Sequence, residues 1–344
     1  MRTEVKSFFR GRSIISRVGR LAVFLGLLAA ADQLLGRFGI DIVKSAGVSS
    51  VAFFSIIVNV SLVLELIFFP SRIYVPGRET TNENSQNLFV QALLGFVRLL
   101  KNQGKVTTIL HIRDSMSHLL HLLGENKARI ALGEAALAAS VEADSTLHRA
   151  QILIDDLGWA AHLIGNHALA ETNIRRGIQL AESVRSEDER DLVLLRLTAA
   201  KGYRHLGMIA PDEARSLKFL SQAEEAIGAL SQYSEASSPF HDEIIRDRAQ
   251  IDHARATLMA RSLGIEESGT VPANDREAID RAISALCMVS RAATAFESVA
   301  DHERLTKALF LEERLHSAVD DVTAALETRA KREKVARSSS VRKL

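Results

Sequence analysis

The clearest helix-pair pattern of the chain lies between Gln151 and Ser183, in the sequence QILIDDLGWAAHLIGNHALAETNIRRGIQLAES. Small and apolar residues recur in it at helical spacing on both sides of Gly165. The small residues, which let two helices approach each other closely, are Gly158, Ala161, Ala170 and Gly177. Gly165 itself suits the left-handed backbone conformation with which many helices end. The segment therefore predicts two closely packed helices joined at Gly165.

Together with Leu157, Ile174 and Ile178, these small residues fall at the relative spacing found in a tetratricopeptide repeat. This unit resembles that family, and the neighbouring segments repeat its pattern less faithfully. The resemblance implies an all-α chain in which residues 88–330 form a tetratricopeptide-like α-solenoid. It also implies a concave groove that binds a protein or peptide.

The chain departs from the repeat type in two ways. The interval between matched alanines exceeds the period of about 34 residues, and the proline that follows the second helix is absent. We therefore expect longer helices or larger loops, with a last long helix over His302–Arg329 capping the array. Trp159 and Tyr203, on the first helices of their pairs, are candidate partner-binding residues, although aromatic residues at such positions also serve as core.

The composition limits the class of protein. Of the 344 residues, 47% are hydrophobic and only 5% aromatic, which favours helices over strands and provides enough apolar surface for a core. The formal net charge is +1, so the chain has no overall bias towards nucleic acid, and none is expected as a partner. Cys287 is the only cysteine, which excludes an intramolecular disulfide.

Residues 1–70 are predicted to form a basic N-terminus followed by a two-helix membrane anchor. The stretch Ser45–Leu64 contains no charged residue and is long enough to cross the roughly 30 Å hydrocarbon layer as a helix. Leu21–Ala31 is shorter and becomes a first span only if the helix extends beyond it. The alternative for the second stretch is a buried helix of a soluble core, and for the first a signal peptide cleaved after Ala29–Ala31.

Basic residues before the first apolar stretch predict the side on which the chain ends. They are Arg2, Lys6, Arg10, Arg12, Arg17 and Arg20, against the single acid Glu4. Because such residues stay on the cytoplasmic side, the hairpin places the remaining domain in the cytoplasm. A cleaved signal followed by one stop-transfer helix gives the same result. The expected location is a bacterial-type inner membrane or a plasma membrane, where lipid is a further partner.

Three polar residues lie within the apolar stretches. Asp32 belongs at the outer interface if the first helix begins early, or near the middle of the membrane, lining an oligomeric pore, if it begins late. Asn59 is a candidate for hydrogen bonds between helices of one hairpin or of a homo-oligomer. Glu65 is expected near the cytoplasmic surface.

Residues 71–87 are rich in polar residues and are predicted to be a hinge linker. The C-terminal residues 331–344 are predicted to be a basic disordered tail, either solvated or in contact with anionic lipid.

No Walker loop, dinucleotide-binding glycine motif, zinc-protease motif or hydrolase elbow occurs in the sequence, so neither an enzyme nor a cofactor is expected. The one constellation for a metal lies on a single predicted helix and consists of His111, Asp114, His118 and His121. Imidazole and carboxylate groups on one stripe bind transition metals, but the leucines around them favour polar positions in a helix-pair groove. The sequence favours a membrane-anchored scaffold or adaptor. The alternatives are a pore-forming effector that senses a partner and an enzyme that uses this histidine stripe.

Overall fold

A computed structural model of the chain describes residues 79–184, 188–235, 237–265, 271–272 and 275–341. Regular structure in these ranges is helical and contains no strand, which confirms the all-α prediction for this part of the chain. None of the helices described is long and apolar enough to cross a membrane. The predicted anchor, with Asp32, Asn59 and Glu65, lies outside the described residues.

The chain divides into two compact units, one containing residues 1–118 with the last two residues, the other Leu119–Arg342. In the first unit the described residues form α1 (Glu79–Asn102) and most of α2 (Val106–Leu122). The second unit consists of consecutive packed helices and is compatible with a helical solenoid. Its helices are α3 (Asn126–Glu142), α4 (described below), α5 (His167–Ser183), α6 (Glu189–Ile209), α7 (Glu213–Gly228), α8 (His241–Ser262), α9 (Arg276–Ser298), α10 (His302–Ala318) and α11 (Val322–Val341).

Helix α4 is continuous but changes its hydrogen-bonding pattern along its length. It is α-helical over Thr146–Gln151, π-helical over Ile152–Trp159 and α-helical again over Ala160–Leu163. Asn173 of α5 donates a hydrogen bond from Nδ2 to the carbonyl oxygen of Leu157 at 3.4 Å, within the π-helical segment. Such segments are uncommon and are frequent at functional sites.

A recurring three-residue turn joins many of the helices. Its middle residue has a positive φ, as at Gly165 (84°), and its last N–H donates to a carbonyl five residues back, as from Asn166 to Ala161 at 2.9 Å. The same geometry occurs at Gly104, Gly124, Asp144, Ala300 and Asp320. The turns at Gly104, Gly124, Asp144 and Gly165 follow one another at intervals of 20, 20 and 21 residues. A helix pair therefore occupies about 40 residues, which explains why the matched positions exceed the tetratricopeptide period.

Three predicted boundaries need correction. Helix α1 begins at Glu79, inside the predicted hinge 71–87, since the helix-breaking Pro70, Pro76 and Gly77 all precede it. The predicted helix His302–Arg329 is two helices, because Asp320 (φ 63°) breaks it and Asp321 accepts a hydrogen bond from the backbone N–H of Ala324.

The tail predicted to be disordered continues as helix α11 to Val341. Lysine, arginine, glutamate and alanine all have high helix propensity, and Arg337 pairs with Glu333 one turn away at 3.0 Å. Lys331 also reaches Glu297 of α9 at 2.8 Å. The high charge of this segment is therefore compatible with a solvated helix.

Glycines mark the closest approaches between successive helices. A Cβ atom added at Gly158 of α4 would lie 2.4 Å from Ile174 Cγ1 of α5, and one at Gly177 would lie 2.6 Å from Ile154 Cγ1. Gly202 of α6 stands in the same relation to Ile178 of α5, at 2.6 Å. Hence α4, α5 and α6 pack at distances that exclude larger side chains.

Four alternate helices form a series in which each contacts the next, in addition to the contacts between helices adjacent in sequence. Helix α4 contacts α6, α6 contacts α8, and α8 contacts α10. We call these four helices the inner row. The inner row brings residues of four successive helix pairs onto one side, where the candidate site lies.

Candidate functional site

Charged side chains connect the helices of the inner row. Lys201 of α6 donates from Nζ to Asp155 Oδ2 of α4 at 3.0 Å, and His205 Nε2 lies 3.7 Å from Asp155 Oδ1. Farther along, Arg246 Nε of α8 lies 3.4 Å from Asp301 Oδ2, at the start of α10. Each acid thus meets a basic group from the adjacent inner helix.

The π-helical segment of α4 directs two consecutive aspartates to different neighbours. Asp155 faces α6, whereas Asp156 accepts a hydrogen bond at Oδ1 from Arg129 Nε of α3 at 2.9 Å. The side chains of Arg129 and Asp156 are 8% and 1% exposed, so this ion pair is buried. One short segment therefore joins α3 on one side to the inner row on the other.

Asp247 of α8 lies among charged side chains from three helices of the inner row. Its neighbours include the cations Lys201 and Arg204 from α6, Arg304 from α10 and Arg246 from its own helix. Burial raises the pKa of the Asp247 carboxyl above its usual value, although all four cations act in the opposite direction. Gln250 Nε2 donates to Asp247 Oδ1 at 2.9 Å.

Arg204 is a half-buried cation beside Asp247. Burial lowers the pKa of its guanidinium and Arg304 acts in the same direction, while Asp247 and Asp155 oppose them. Arg204 makes no hydrogen bond and no ion pair with any part of the chain that the structure describes. Its charge is therefore balanced only at longer range.

A cleft of about 470 Å³ opens beside Arg204, between α6, α7, α8 and α10. Its basic lining residues are Arg204, Arg261, Arg304 and Lys307, together with His253. Accessible apolar side chains that line it include Met208 and Leu258. The cleft thus combines apolar side chains with basic groups, a common composition for sites that bind a ligand.

The two aromatic candidates lie in different surroundings. The Trp159 ring stacks on the imidazole of His205, with 4.3 Å between ring centroids, which places it beside the inner row. Tyr203 instead faces α5, where its hydroxyl donates to Glu182 Oε1 at 2.8 Å. Burial, followed by this hydrogen bond, raises the pKa of Tyr203 to about 12. The structure does not bring Trp159 and Tyr203 together in one groove.

The remaining candidate residues from the sequence are the small packing residues and the histidine stripe. The five small residues Gly158, Ala161, Gly165, Ala170 and Gly177 lie at the contact between α4 and α5 or in their turn. Among the described residues, no group of three or more His, Cys, Asp or Glu side chains is arranged to hold a metal ion. The stripe of His111, Asp114, His118 and His121 therefore forms no such site. Asp114 instead pairs with Arg113 at 3.1 Å.

Sequence reasoning did not identify Asp155, Lys201, Arg204 or Asp247. The available signal was the placement of charged residues inside apolar helical stretches, as in ILIDDLGWAAHLI. Charged residues are seldom buried unless they are paired, so such positions indicate a site even when their partners are unknown. No family model matches the chain, and no curated protein matches its sequence.

His205 predicts how stability depends on pH. Burial lowers its pKa from 6.5 to about 3, although the neighbouring Asp155 carboxylate opposes the shift. The unfolded chain therefore binds more protons below pH 6.5, and the contribution of His205 to the free energy of unfolding falls as the pH decreases. By pH 5 this loss approaches about 2 kcal/mol.

The test is chemical denaturation of wild type and His205→Gln at pH 7 and pH 5, followed by circular dichroism. The variant should lose less stability over this interval than the wild type. Asp247 and His253 are present in both proteins, so the difference isolates His205. An equal loss in both proteins would contradict the assignment.

Proposed function

We propose that the chain is a membrane-anchored interaction scaffold whose tetratricopeptide-like domain binds a protein or peptide at the inner row. The observation that carries this proposal is the cleft beside Arg204, where basic groups and apolar side chains are presented together. Side chains from α6, α7, α8 and α10 line it, so an extended ligand would touch several helix pairs at once. Helical-repeat proteins use such surfaces for binding.

The membrane part of the proposal is supported by sequence. Ser45–Leu64 is uncharged and long enough to span, and basic residues precede the first apolar stretch. A retained hairpin and a single stop-transfer helix both leave the repeat domain in the cytoplasm. The bound partner would then be recruited to the inner or plasma membrane.

The second candidate function is a pore-forming effector whose repeat domain senses a partner. It is favoured by Asp32 and Asn59, since polar side chains at membrane depth must pair with one another or line water. In that case homo-oligomers of the hairpin would carry the activity, and the cleft would only regulate it.

Exchange of the anchor separates the two functions. We expect that replacing residues 1–70 with an unrelated two-helix anchor of the same topology preserves partner recruitment, because a scaffold needs the hairpin only for location. Recruitment is measured by co-purification from detergent-solubilised membranes, and ion leakage by a vesicle assay.

The point variants Asp32→Ala and Asn59→Leu serve as matched controls within the native hairpin. Under the scaffold proposal neither changes recruitment or leakage. The effector would be favoured if the native protein causes leakage and this leakage is lost in the point variants and in the exchanged protein. All proteins must be present at equal membrane levels.

A further inference from the structure

The cleft between α6, α7, α8 and α10 carries more basic than acidic groups. Four basic residues line it, against two acids, Asp212 and Glu213. Both acids pair with arginines other than those four: Asp212 Oδ2 lies 3.4 Å from Arg215 Nε, and Glu213 Oε1 lies 2.5 Å from Arg281. The acids of the cleft therefore do little to neutralise its basic groups.

The basic groups of the cleft differ in how they are compensated. Arg304 pairs with Asp301 at 2.6 Å, and Lys307 pairs with Glu303 at 2.7 Å, each one turn away on its own helix. Arg204, by contrast, has no hydrogen bond or ion pair among the described residues, and it is half-buried. Its guanidinium still reaches water, and an anionic ligand would replace that water with charge-assisted hydrogen bonds.

Several neighbouring groups add positive charge around the cleft, while Asp247 and Asp155 partly offset the charge of Arg204. Arg304 acts on Arg204 as a like charge across the cleft. The imidazole of His253, on α8, has its pKa lowered to about 4, first by burial and further by Arg204 and Lys307. Three inner helices thus each direct a basic group at the same space.

We propose that this cleft binds a compact oxygen anion of the ligand, a carboxylate or a phosphate group, with Arg204 as its principal donor. The proposal rests on the proposed interaction function and names the chemistry recognised there. A guanidinium presents a planar fork of N–H groups that donates two parallel hydrogen bonds to either anion. Lys307 and Arg304 add charge at the rim, while Met208 and Leu258 contact the apolar part of the ligand.

The test is equilibrium dialysis of the purified full-length chain in detergent, first with inorganic phosphate and then with acetate. Chloride keeps the ionic strength constant. Arg204→Gln removes the donor, and Arg204→Lys keeps the charge but loses the fork. Arg196→Gln is the matched control, because Arg196 lies exposed on the same helix and does not line the cleft.

We expect saturable binding of at least one anion, weakened by about tenfold or more in Arg204→Gln and unchanged in Arg196→Gln. Arg204→Lys should lie between the two. The anion that binds more tightly identifies the source as phosphate or carboxylate. Binding that is absent for both anions, or equal in wild type and Arg204→Gln, overturns the proposal. Because dialysis uses no partner, a negative result here is separate from the outcome of the anchor exchange.

Discussion

Replacing Asp156 with alanine is expected to lower the free energy of unfolding by about 3–5 kcal/mol, because the change removes the buried carboxylate that pairs with Arg129. The two side chains form an ion pair at 2.9 Å and are 8% and 1% exposed. The backbone of Gly133 lies directly against Asp156, so a rearrangement that would expose Arg129 to water is restricted. Chemical denaturation followed by circular dichroism measures the loss.

Two further variants show whether burial is the cause. Glu171→Ala breaks a surface pair with Arg175, in which both side chains are 52% exposed, and should cost only about 0.2–1 kcal/mol. The double variant Arg129→Met/Asp156→Leu removes both charges and should recover most of the stability. A cost for Asp156→Ala no larger than that for Glu171→Ala would contradict the buried pair.

Replacing Gly158 with alanine is the second change with a large expected effect. The new Cβ would lie 2.4 Å from Ile174 Cγ1 and 2.8 Å from the carbonyl oxygen of Leu153, so α4 and α5 must separate. Overpacking of this kind typically costs about 1–3 kcal/mol. The usual gain on replacing a helical glycine with alanine, about 1 kcal/mol, is expected to be too small to compensate.

Gly228→Ala provides the matched control, measured in the same denaturation experiment. Gly228 is the last residue of α7, and a Cβ added there would meet no atom within 4 Å. Its replacement should leave stability unchanged or slightly increased. If both variants had the same stability as the wild type, α4 and α5 could not be packed as closely as described.

The sequence was most informative about helix packing. Gly158 and Gly177 lie inside helices, where glycine is unfavourable unless close contact with another helix requires it. The turn at Gly165 could be predicted for a similar reason, since its left-handed backbone favours glycine. Both features depend mainly on residues close in sequence.

The charged contacts between helices of the inner row could not be predicted, because the residues that make them are distant in sequence. Asp155 and Lys201 are 46 residues apart, and their contact depends on how successive helix pairs stack. The π-helical segment that directs Asp155 and Asp156 to different helices has no local signature, since its residues would also fit an α-helix. The end of helix α11 differs from the predicted disordered tail 331–344, because its residues are highly charged but also have high helix propensity.

Binding of the partner in the inner-row cleft is tested by affinity purification from solubilised membranes with mass spectrometry. The proteins compared are wild type, Lys307→Glu and Lys331→Glu. Both lysines are exposed and each pairs with a surface glutamate, but only Lys307 lines the cleft. We expect specific partners recovered with wild type and Lys331→Glu to be lost with Lys307→Glu, at equal membrane abundance. Recovery of the same partners with all three proteins, or of none with the wild type, would contradict this expectation.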